Sequence, residues 1–336
     1  MNILVLAGGY SPERDVSLAS GAQVVKALRN RGHRTLLLDP YKSIEPAASF
    51  EALYNTNAKD DYAYVIPAQE PDLAALKAQF GDGDALLGKH VLAACKLADV
   101  VFLALHGSYG ENGQLQATLD LYGIRYTGSD FAGCMLSMDK KITKTLMELH
   151  GVQTPPTAEL HESDLPLVVK PPCGGSSIGV SIVRDKAEFA QALAYAQKHE
   201  NDVLVERYIA GREFSVGILD NEALPVIEIC PKTGWFDYAS KYQAGVTDEI
   251  CPAEISDELA VRMQDMAMKA HEALRLGSYS RVDFIVDDQG EIYCLEANSL
   301  PGIAPASLLP KEVQAVGITY EDFCEKIVEL ALRGEK

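Results

Sequence analysis

The sequence predicts an α/β protein that begins with a Rossmann-like unit. Residues 1–9, MNILVLAGG, form an apolar run that ends in two glycines, and the amphipathic segment 11–33 and the apolar run 35–40 follow it. Strand, Gly-rich turn, helix and strand in this order are typical of a Rossmann-like unit. Residues 98–106, ADVVFLALH, are almost continuously apolar, as expected of a strand buried in a parallel sheet. The opening turn lacks the G-x-G-x-x-G fingerprint of dinucleotide-binding domains.

Composition limits the classes of protein to consider. The 336 residues are 47% hydrophobic and 23% charged, with a formal net charge of −18, which is ordinary for a globular enzyme of two or three domains. The acidic balance argues against a nucleic-acid surface, which needs a basic patch. Seven cysteines without a CxxC pair, and no signal peptide, predict reduced thiols in a cytoplasmic protein. No apolar run reaches the roughly 20 residues of a membrane span, so no membrane contact is expected.

Two loops of the first unit carry candidate site residues. Glu13 begins the first predicted helix, where it is either an acid that favours the helix dipole or a ligand for a substrate ammonium group. His106 begins the Gly-punctuated loop HGSYGENGQLQ and is either a core histidine or a site residue, because open α/β sheets bind ligands at this end of their strands. Between them, residues 41–90 predict peripheral strands or an insertion. GIRYTGSD predicts a short strand and a turn, with the first domain boundary near Gly128.

The middle of the chain contains a second Gly-rich loop. A predicted helix at 138–151 precedes residues 165–183, which predict a strand ending in Lys170, the loop GGSSIG and a second strand. Such a loop is either a plain hairpin connection or a cover for phosphates, whose oxygens its backbone N–H groups can bind. It lacks the Lys-Ser/Thr ending of a P-loop. A further strand ends in Glu206, and residues 211–213 predict a linker between lobes.

Residues 281–297 predict a β-hairpin, with the turn Asp-Asp-Gln-Gly between two runs rich in β-forming residues. Arg281 and Asp283 are two residues apart and share one face, as do Glu296 and Asn298. Two carboxylates and an amide oxygen would form an all-oxygen site suited to Mg²⁺, although ordinary solvent-facing charges remain the alternative. The aromatic loop 233–245 predicts either packing on a neighbour or a lid over a substrate.

Eight motifs follow one another along the chain: a Gly-Gly turn with Glu13, HGSYGENG, Met138-Asp139-Lys140, Lys170 before GGSSIG, Glu206 with Glu213, Lys241-Tyr242, Arg281 with Asp283, and Glu296 with Asn298 before Pro-Gly and SLLP. In this combination nearly the whole chain resembles the D-alanine–D-alanine ligases of the ATP-grasp superfamily. The resemblance implies an ATP-grasp fold. Its Rossmann-like N-terminal domain would span 1–128, a central α+β lobe 129–206 and a C-terminal α+β lobe 207–336, with the two lobes clasping ATP.

The resemblance also implies a site for ATP and two Mg²⁺ ions, for which Mn²⁺ can substitute. The residues implied for the phosphates are Lys140, Lys170, Gly175, Ser176 and Ser177. The residues implied for the adenine and ribose are Glu206, Arg207, Ile209 and Glu213. The residues implied as metal ligands are Asp283, Glu296 and Asn298.

The substrate residues implied by the resemblance lie at both ends of the chain. Glu13 would orient the first D-alanine through its ammonium group, and a hydrogen-bonded link of Glu13, Ser176 and Tyr242 would hold the lid loop closed. Arg281 and the backbone of Gly302 would stabilise the tetrahedral intermediate. The remaining substrate-binding residues implied here are His106, Ser307 and Leu308, the last two for the carboxylate of the second D-alanine.

The implied reaction joins two D-alanines through an acyl phosphate and supplies a peptidoglycan precursor in the cytoplasm, with a homodimer as the expected assembly. Ile303-Ala304 stands where relatives commonly have Met-Thr, and Cys173 stands where they often have a longer polar side chain. These departures leave the second substrate open, so a related dipeptide ligase that uses D-serine is an alternative. A non-catalytic nucleotide-binding protein is a further alternative, although the complete set of metal and phosphate residues argues against it.

Overall fold

A computed structural model describes residues 1–67, 69, 71–159, 165–175, 177–232 and 246–334 of the chain. Ser176, Tyr242 and the aromatic loop 233–245 lie outside the described residues, so the predictions made for them stay predictions.

The first part of the chain is built on a parallel sheet with the strand order β2-β1-β3. The strands are β1 (Asn2–Leu6), β2 (Arg34–Leu38) and β3 (Val100–Leu103). The helices are α1 (Arg14–Asn30), α2 (Phe50–Asn57), α3 (Leu73–Phe80), α4 (Val91–Cys95), α5 (Ser108–Glu111) and α6 (Gln114–Leu121). Because β1 and β3 are parallel neighbours, the loops at their carboxyl ends meet at one edge of the sheet. The Rossmann-like opening is confirmed.

The middle part forms an antiparallel sheet with the order β5-β4-β6. Its strands are β4 (Leu167–Lys170), β5 (Ser181–Val183) and β6 (Leu204–Arg207), and its helices are α7 (Phe131–Met138), α8 (Lys140–Leu149) and α9 (Lys186–Ala196). Asp139 ends α7 and caps α8, because its Oδ1 accepts hydrogen bonds from the backbone N–H of Lys141 (2.9 Å) and Ile142 (3.2 Å).

The last part is built on a larger antiparallel sheet with the order β10-β9-β7-β11-β12 and a short strand β8 beside β7. Its strands are β7 (Gly211–Leu219), β8 (Glu222–Ala223), β9 (Ile227–Pro231), β10 (Thr247–Ile250), β11 (Tyr279–Asp287) and β12 (Ile292–Asn298). Its helices are α10 (Asp257–Ala273), α11 (Leu308–Ala315) and α12 (Tyr320–Arg333). The apolar face of β7 and β11 packs against α10.

The final helix returns to the start of the chain. Phe323 and Ile327 of α12 are fully buried in the same apolar core as Leu4 and Leu28 of the first sheet and its helix. The segment between β12 and α12 therefore runs along the junction between the first sheet and the last one. No helix within the described residues is both long and apolar enough to cross a membrane.

Three local predictions need correction. Within the described part of residues 41–90, short helices and loops replace the expected peripheral strands, because this segment has no sustained alternation of apolar and polar residues. The short strand expected at 123–130 is reduced to a single bridge between Tyr126 and Val101. Residues 211–213 begin β7 and are not a linker, so β6 and β7 are separated only by residues 208–210.

Candidate active site

A cavity of about 410 Å³ lies between the two antiparallel sheets. Its walls include Lys140, Lys170, Glu206, Asp283 and Glu296. The volume falls within the range of small-molecule sites, which is roughly 300–1,000 Å³. The described residues predicted to hold a nucleotide therefore line one cavity together with Asp283 and Glu296, although they are spread over more than 150 positions of sequence. Asn298, the third predicted metal ligand, is not among the lining residues.

The Gly-rich loop connects β4 to β5 along the wall of this cavity. Gly175, Ser177 and Ile178 line it, and the backbone N–H of Ile178 donates to the carbonyl of Gly175 over 3.1 Å. Lys140 closes the other side of the loop, because its Nζ donates to the carbonyl of Gly174 over 2.6 Å. Lys140 Nζ also lies 3.3 Å from Glu296 Oε2. This lysine thus connects the loop to the predicted metal ligands on β12.

A buried group of three charges lies at the inner wall, where Lys170 and Glu206 line the cavity and Lys144 lies behind them. Glu206 Oε2 lies 2.5 Å from Lys170 Nζ, and its Oε1 lies 2.8 Å from Lys144 Nζ. Burial opposes the charge of Glu206, but the two lysines outweigh this effect and lower the pKa of its carboxyl. The group carries a net charge of +1, because two ammonium groups face one carboxylate. It therefore provides a positive surface suited to a phosphate.

Lys144 was not identified as a site residue from the sequence. It lies one helical turn after Lys140 on α8, and this spacing is a signal that could have found it. Its ammonium also donates to Thr154 Oγ1 over 3.0 Å and to the carbonyl of Pro155. These contacts hold Lys144 behind Lys170 and fix the position of Glu206.

Glu206, Arg207 and Ile209 border the cavity at the end of β6, and Glu213 borders it on β7. The backbone N–H groups of Arg207 and Tyr208 donate to the carbonyls of Pro156 and Pro166, over 3.0 and 3.1 Å. The segment predicted to contact adenine is therefore held by backbone hydrogen bonds, which favours a rigid edge.

The hairpin of β11 and β12 places the predicted metal ligands together. Asp283 pairs with Glu296 and Arg281 pairs with Asn298, and a bulge follows at Asp283 and Phe284. Bulges are common next to active sites, where they redirect a side chain. The predicted hairpin is confirmed, and the structure supplies the register, which the sequence left open: Asp283 lies directly opposite Glu296.

The carboxylate of Asp283 has several hydrogen-bond donors around it. Its Oδ1 accepts from Ser215 Oγ (2.7 Å) and Arg281 Nε (2.8 Å), and its Oδ2 accepts from Arg281 Nη2 (2.8 Å) and Asn298 Nδ2 (3.0 Å). Within the described residues, no group of three His, Cys, Asp or Glu side chains is arranged for a metal ion. Two carboxylates and one amide nevertheless give the hard oxygen donors that suit Mg²⁺, which usually completes its coordination with substrate phosphates and water.

Glu13 lies at the start of α1 beside both Gly-rich loops. A Cβ atom on Gly107 would lie 2.6 Å from Glu13 Oε2, and one on Gly175 would lie 3.7 Å from the same oxygen. Gly107 has a φ of +66°, so both its conformation and its space favour glycine. Glu13 is 8% exposed and does not cap its helix through its side chain. This position favours the ligand alternative over a simple first-turn acid.

His106 is buried next to these groups. Burial lowers its pKa, opposed by the charge of Glu13 and a hydrogen bond to the Leu300 backbone, so the ring is neutral. Its Nε2 has no hydrogen-bond partner among the described residues. A buried ring nitrogen without a partner is available to a ligand, which favours the site alternative for His106.

The segment after β12 folds back on itself before α11 begins. A Cβ atom on Gly302 would lie 2.9 Å from Ser307 Oγ, and Ser307 directly precedes α11, which begins at Leu308. Ile303 is 2% exposed and packs in the core of the first sheet, and its carbonyl accepts a hydrogen bond of 2.9 Å from Tyr320 Oη. The side chain of Ile303 therefore faces the core, and this departure from relatives does not line the cavity.

Both halves of the chain match a known protein family. Residues 2–129 match the family described as D-ala D-ala ligase N-terminus, and residues 142–329 match D-ala D-ala ligase C-terminus. The chain belongs to the D-alanine–D-alanine ligase family. Its fold is therefore the ATP-grasp fold, as the sequence predicted.

Individual relatives are similar in sequence to this ligase-family chain over nearly all of its length. It is 43% identical to the D-alanine–D-alanine ligase of Pediococcus pentosaceus over 342 residues, covering 98% of this chain and 97% of that protein. It is 38% identical to the ligase of Lacticaseibacillus casei over 348 residues, covering 99% and 96%. The crystal structure of the Bacillus anthracis ligase complexed with ATP is similar with a TM-score of 0.74 and 31% identity, covering 99% and 98%.

The buried carboxyl of Glu111 should make the stability of this protein depend on pH. Burial, followed by the nearby charge of Glu13, raises the pKa of Glu111 from its ordinary value of 4.5 to about 8. A raised carboxyl pKa stabilises the fold at low pH, and this contribution is lost as the pH rises through about 8. In the metal-free protein, Glu111→Gln should gain roughly 4 kcal/mol of stability relative to the wild type from about pH 5 to about pH 9, because each unit of the pKa shift is worth about 1.4 kcal/mol.

Chemical unfolding at several pH values measures this difference. Glu258→Gln, at an exposed position on α10, is the control and should follow the wild type at every pH. A constant difference between Glu111→Gln and the wild type would contradict the assigned pKa.

Proposed function

We propose that this chain joins two D-alanines to D-alanyl-D-alanine, converting ATP to ADP and phosphate, and that the product is a peptidoglycan precursor. One observation carries the proposal. A single cavity combines Lys140, Lys170 and two carboxylates paired across one hairpin, and Arg281 adjoins those carboxylates. This set of groups suits phosphoryl transfer to a carboxylate followed by attack of an amine.

The first step requires groups that bind the phosphates of ATP. We assign the phosphates to Lys140, Lys170 and the loop with Gly175, Ser176 and Ser177. Asp283, Glu296 and Asn298 would hold Mg²⁺, which when bound neutralises charge that moves between the β- and γ-phosphates. The buried positive group around Glu206 keeps Lys170 in place before the nucleotide arrives, so little reorganisation is needed during transfer.

Arg281 is suited to the second step. Asp283 holds the guanidinium through two hydrogen bonds of 2.8 Å, and together with Glu296 it raises the pKa of Arg281 despite burial. A fixed positive charge at this place, with the N–H of Gly302, would stabilise the oxyanion of the tetrahedral intermediate. Glu13 would bind the ammonium of the first D-alanine.

The second D-alanine is assigned to the start of α11. The backbone N–H of Leu308 lies at a helix N-terminus, which favours a carboxylate. The N–H of Ser307 donates to the carbonyl of Ala304 over 2.8 Å, so Ser307 would contribute its hydroxyl. The buried orientation of Ile303 removes one reason to prefer D-serine, and Cys173 lines the nucleotide cavity. D-alanine is therefore the preferred second substrate. The link of Glu13 with Ser176 and Tyr242 stays a prediction.

The defining experiment measures phosphate release from Mg-ATP with D-alanine, L-alanine, D-serine and D-lactate, alone and in pairs, and identifies products by mass. D-Alanine alone should support turnover and give the mass of D-alanyl-D-alanine, whereas L-alanine alone should not. Turnover only with a mixed pair would instead support the alternative second substrate. ATP binding without turnover on any amino acid would favour a non-catalytic protein.

Removing Asp283 tests the assigned site. Asp283→Ala should slow phosphate release with D-alanine at least about 100-fold, because it removes a metal ligand and also the carboxylate that orients Arg281. Asp288→Ala, in the exposed turn of the same hairpin, is the matched control and should retain normal turnover. Normal turnover by Asp283→Ala would reject the site assignment.

A cytoplasmic homodimer completes the proposal. Phe131 and Met135 are 50% and 44% exposed and lie one turn apart on α7, so they form an apolar face that a second copy could cover. Light scattering of the purified protein should give twice the monomer mass, and Phe131→Asp with Met135→Asp should halve it. A monomeric wild-type protein would exclude this assembly.

A further inference from the structure

Glu312 is a fully buried carboxylic acid on α11, 0% exposed. Its Oε1 accepts a hydrogen bond of 2.8 Å from the backbone N–H of Gly217 on β7. Its Oε2 has no partner among the described residues. A buried acid is unusual without a role, since its neighbours must compensate for its lost hydration.

The hydrogen bond fills a gap in the sheet. One edge of β7 pairs first with β9 and then with β8. The pairing with β9 ends at Ser215, and the pairing with β8 begins at Ile218. The carbonyl of Gly217 accepts from the N–H of Leu224 over 2.8 Å, but neither strand supplies an acceptor for the Gly217 N–H in these pairings. An unpaired buried N–H is costly, so the side chain of Glu312 replaces the missing strand partner.

The side chain of Glu312 also lies very close to Gly217. A Cβ atom on Gly217 would lie 2.6 Å from Glu312 Oε2, so glycine is what allows α11 to approach β7 this far. Burial raises the pKa of Glu312 well above its ordinary value, and the hydrogen bond and the charge of Arg281 only partly oppose this. Burial therefore favours the neutral carboxyl, whose oxygen accepts the hydrogen bond from Gly217.

The position of this contact connects two parts of the site. Gly217 is the direct strand partner of Arg281, at a Cα separation of about 5 Å. Glu312 lies one turn after Leu308, about 6 Å along α11. A short path of ordered backbone therefore joins the Arg281 strand to the helix start assigned to the second carboxylate.

Other contacts also hold α11 on the sheet. Leu309 lies against Gly217 of β7, where a Cβ atom on that glycine would be 2.4 Å from Leu309 Cδ1. Leu308 packs with Ile227 and Ile229 of β9, and Lys311 forms an ion pair with Glu249 of β10. The Glu312 bond is the polar anchor to β7, the strand that adjoins Arg281. Losing it would let the helix start shift relative to Arg281 while these other contacts keep the helix attached.

We propose that Glu312 is a positioning residue for the second D-alanine, which it places relative to Arg281 by fixing the start of α11 through Gly217. The proposal rests on the proposed ligase function. A shift on the order of 1 Å between a bound substrate and the catalytic groups can cost about 100-fold in rate, so even one misplaced anchor should be measurable.

The test uses steady-state kinetics of the full-length protein with Mg-ATP, resolving the two D-alanine KM values. Glu312→Met fills the space of the side chain but offers no oxygen acceptor. Glu312→Ala removes both the side-chain volume and the acceptor. Glu312→Gln retains an acceptor, its amide oxygen. Gln314→Ala, at an exposed position of the same helix, is the matched control. Circular dichroism establishes that each variant is folded at the assay temperature.

Glu312→Met and Glu312→Ala should raise the KM of the second D-alanine about ten-fold or more, with the KM values of ATP and the first D-alanine within about two-fold. Glu312→Gln and Gln314→Ala should match the wild type. An unchanged second KM, an equal rise in all three KM values, failure of Glu312→Gln to rescue, or failure of both Met and Ala variants to fold would overturn the proposal. Absence of ligation by the wild type would instead reject the proposed function itself.

Discussion

The candidate site depends on the double pairing of β11, which lies between β7 on one side and β12 on the other. Arg281 is thereby fixed between Gly217 and Asn298, and Asp283 between Ser215 and Glu296. Alternate residues of a strand point to opposite faces. Arg281 and Asp283 therefore share the face of the cavity, while Val282 between them is buried in the core against α10.

Charge is distributed unevenly over this acidic protein. The net charge is −18, yet the inner wall of the cavity carries Lys170 beside the buried carboxylate of Glu206, and Lys144 contacts the same carboxylate from behind. A buried ion pair alone is weak evidence for stability, because desolvation offsets much of the attraction. The ion pairs instead orient the lysines before a polyanion binds. The negative charge elsewhere on the protein disfavours binding of the polyanion at other places.

The reaction centre lies where the first and last parts of the chain meet. Glu13 and His106 come from loops of the first sheet, whereas Arg281 comes from the last sheet. The charges of Glu13 and Arg281 both act on the buried ring of His106. The packing of α12 on the first sheet holds the two parts together, so a helix without chemical groups in the site still determines its geometry.

Local sequence patterns predict many of the helices and strands, including the hairpin that carries the proposed metal ligands. The alternation of residues 281–286 and 292–297 and the turn between them predicted which side chains share a face, because strand geometry repeats every two residues. The strand–loop–strand around GGSSIG and the caps at Asp139 and Ser256 depend on near neighbours in the same way. Residues 41–90 lack such a pattern. Of the two alternatives given for them, peripheral strands or an insertion, the strands are wrong.

The sequence by itself determined the repeating elements, the family resemblance and the kinds of chemical group present. Only the tertiary structure decided which of those groups meet. Lys144 contacts Glu206 across 62 positions of sequence, and Glu312 contacts Gly217 across 95. The raised pKa of Glu111 likewise depends on burial and on the charges of Glu13 and Glu296, which come from opposite ends of the chain. Such effects depend on distance and solvent exclusion, which no spacing within one helix or strand can specify.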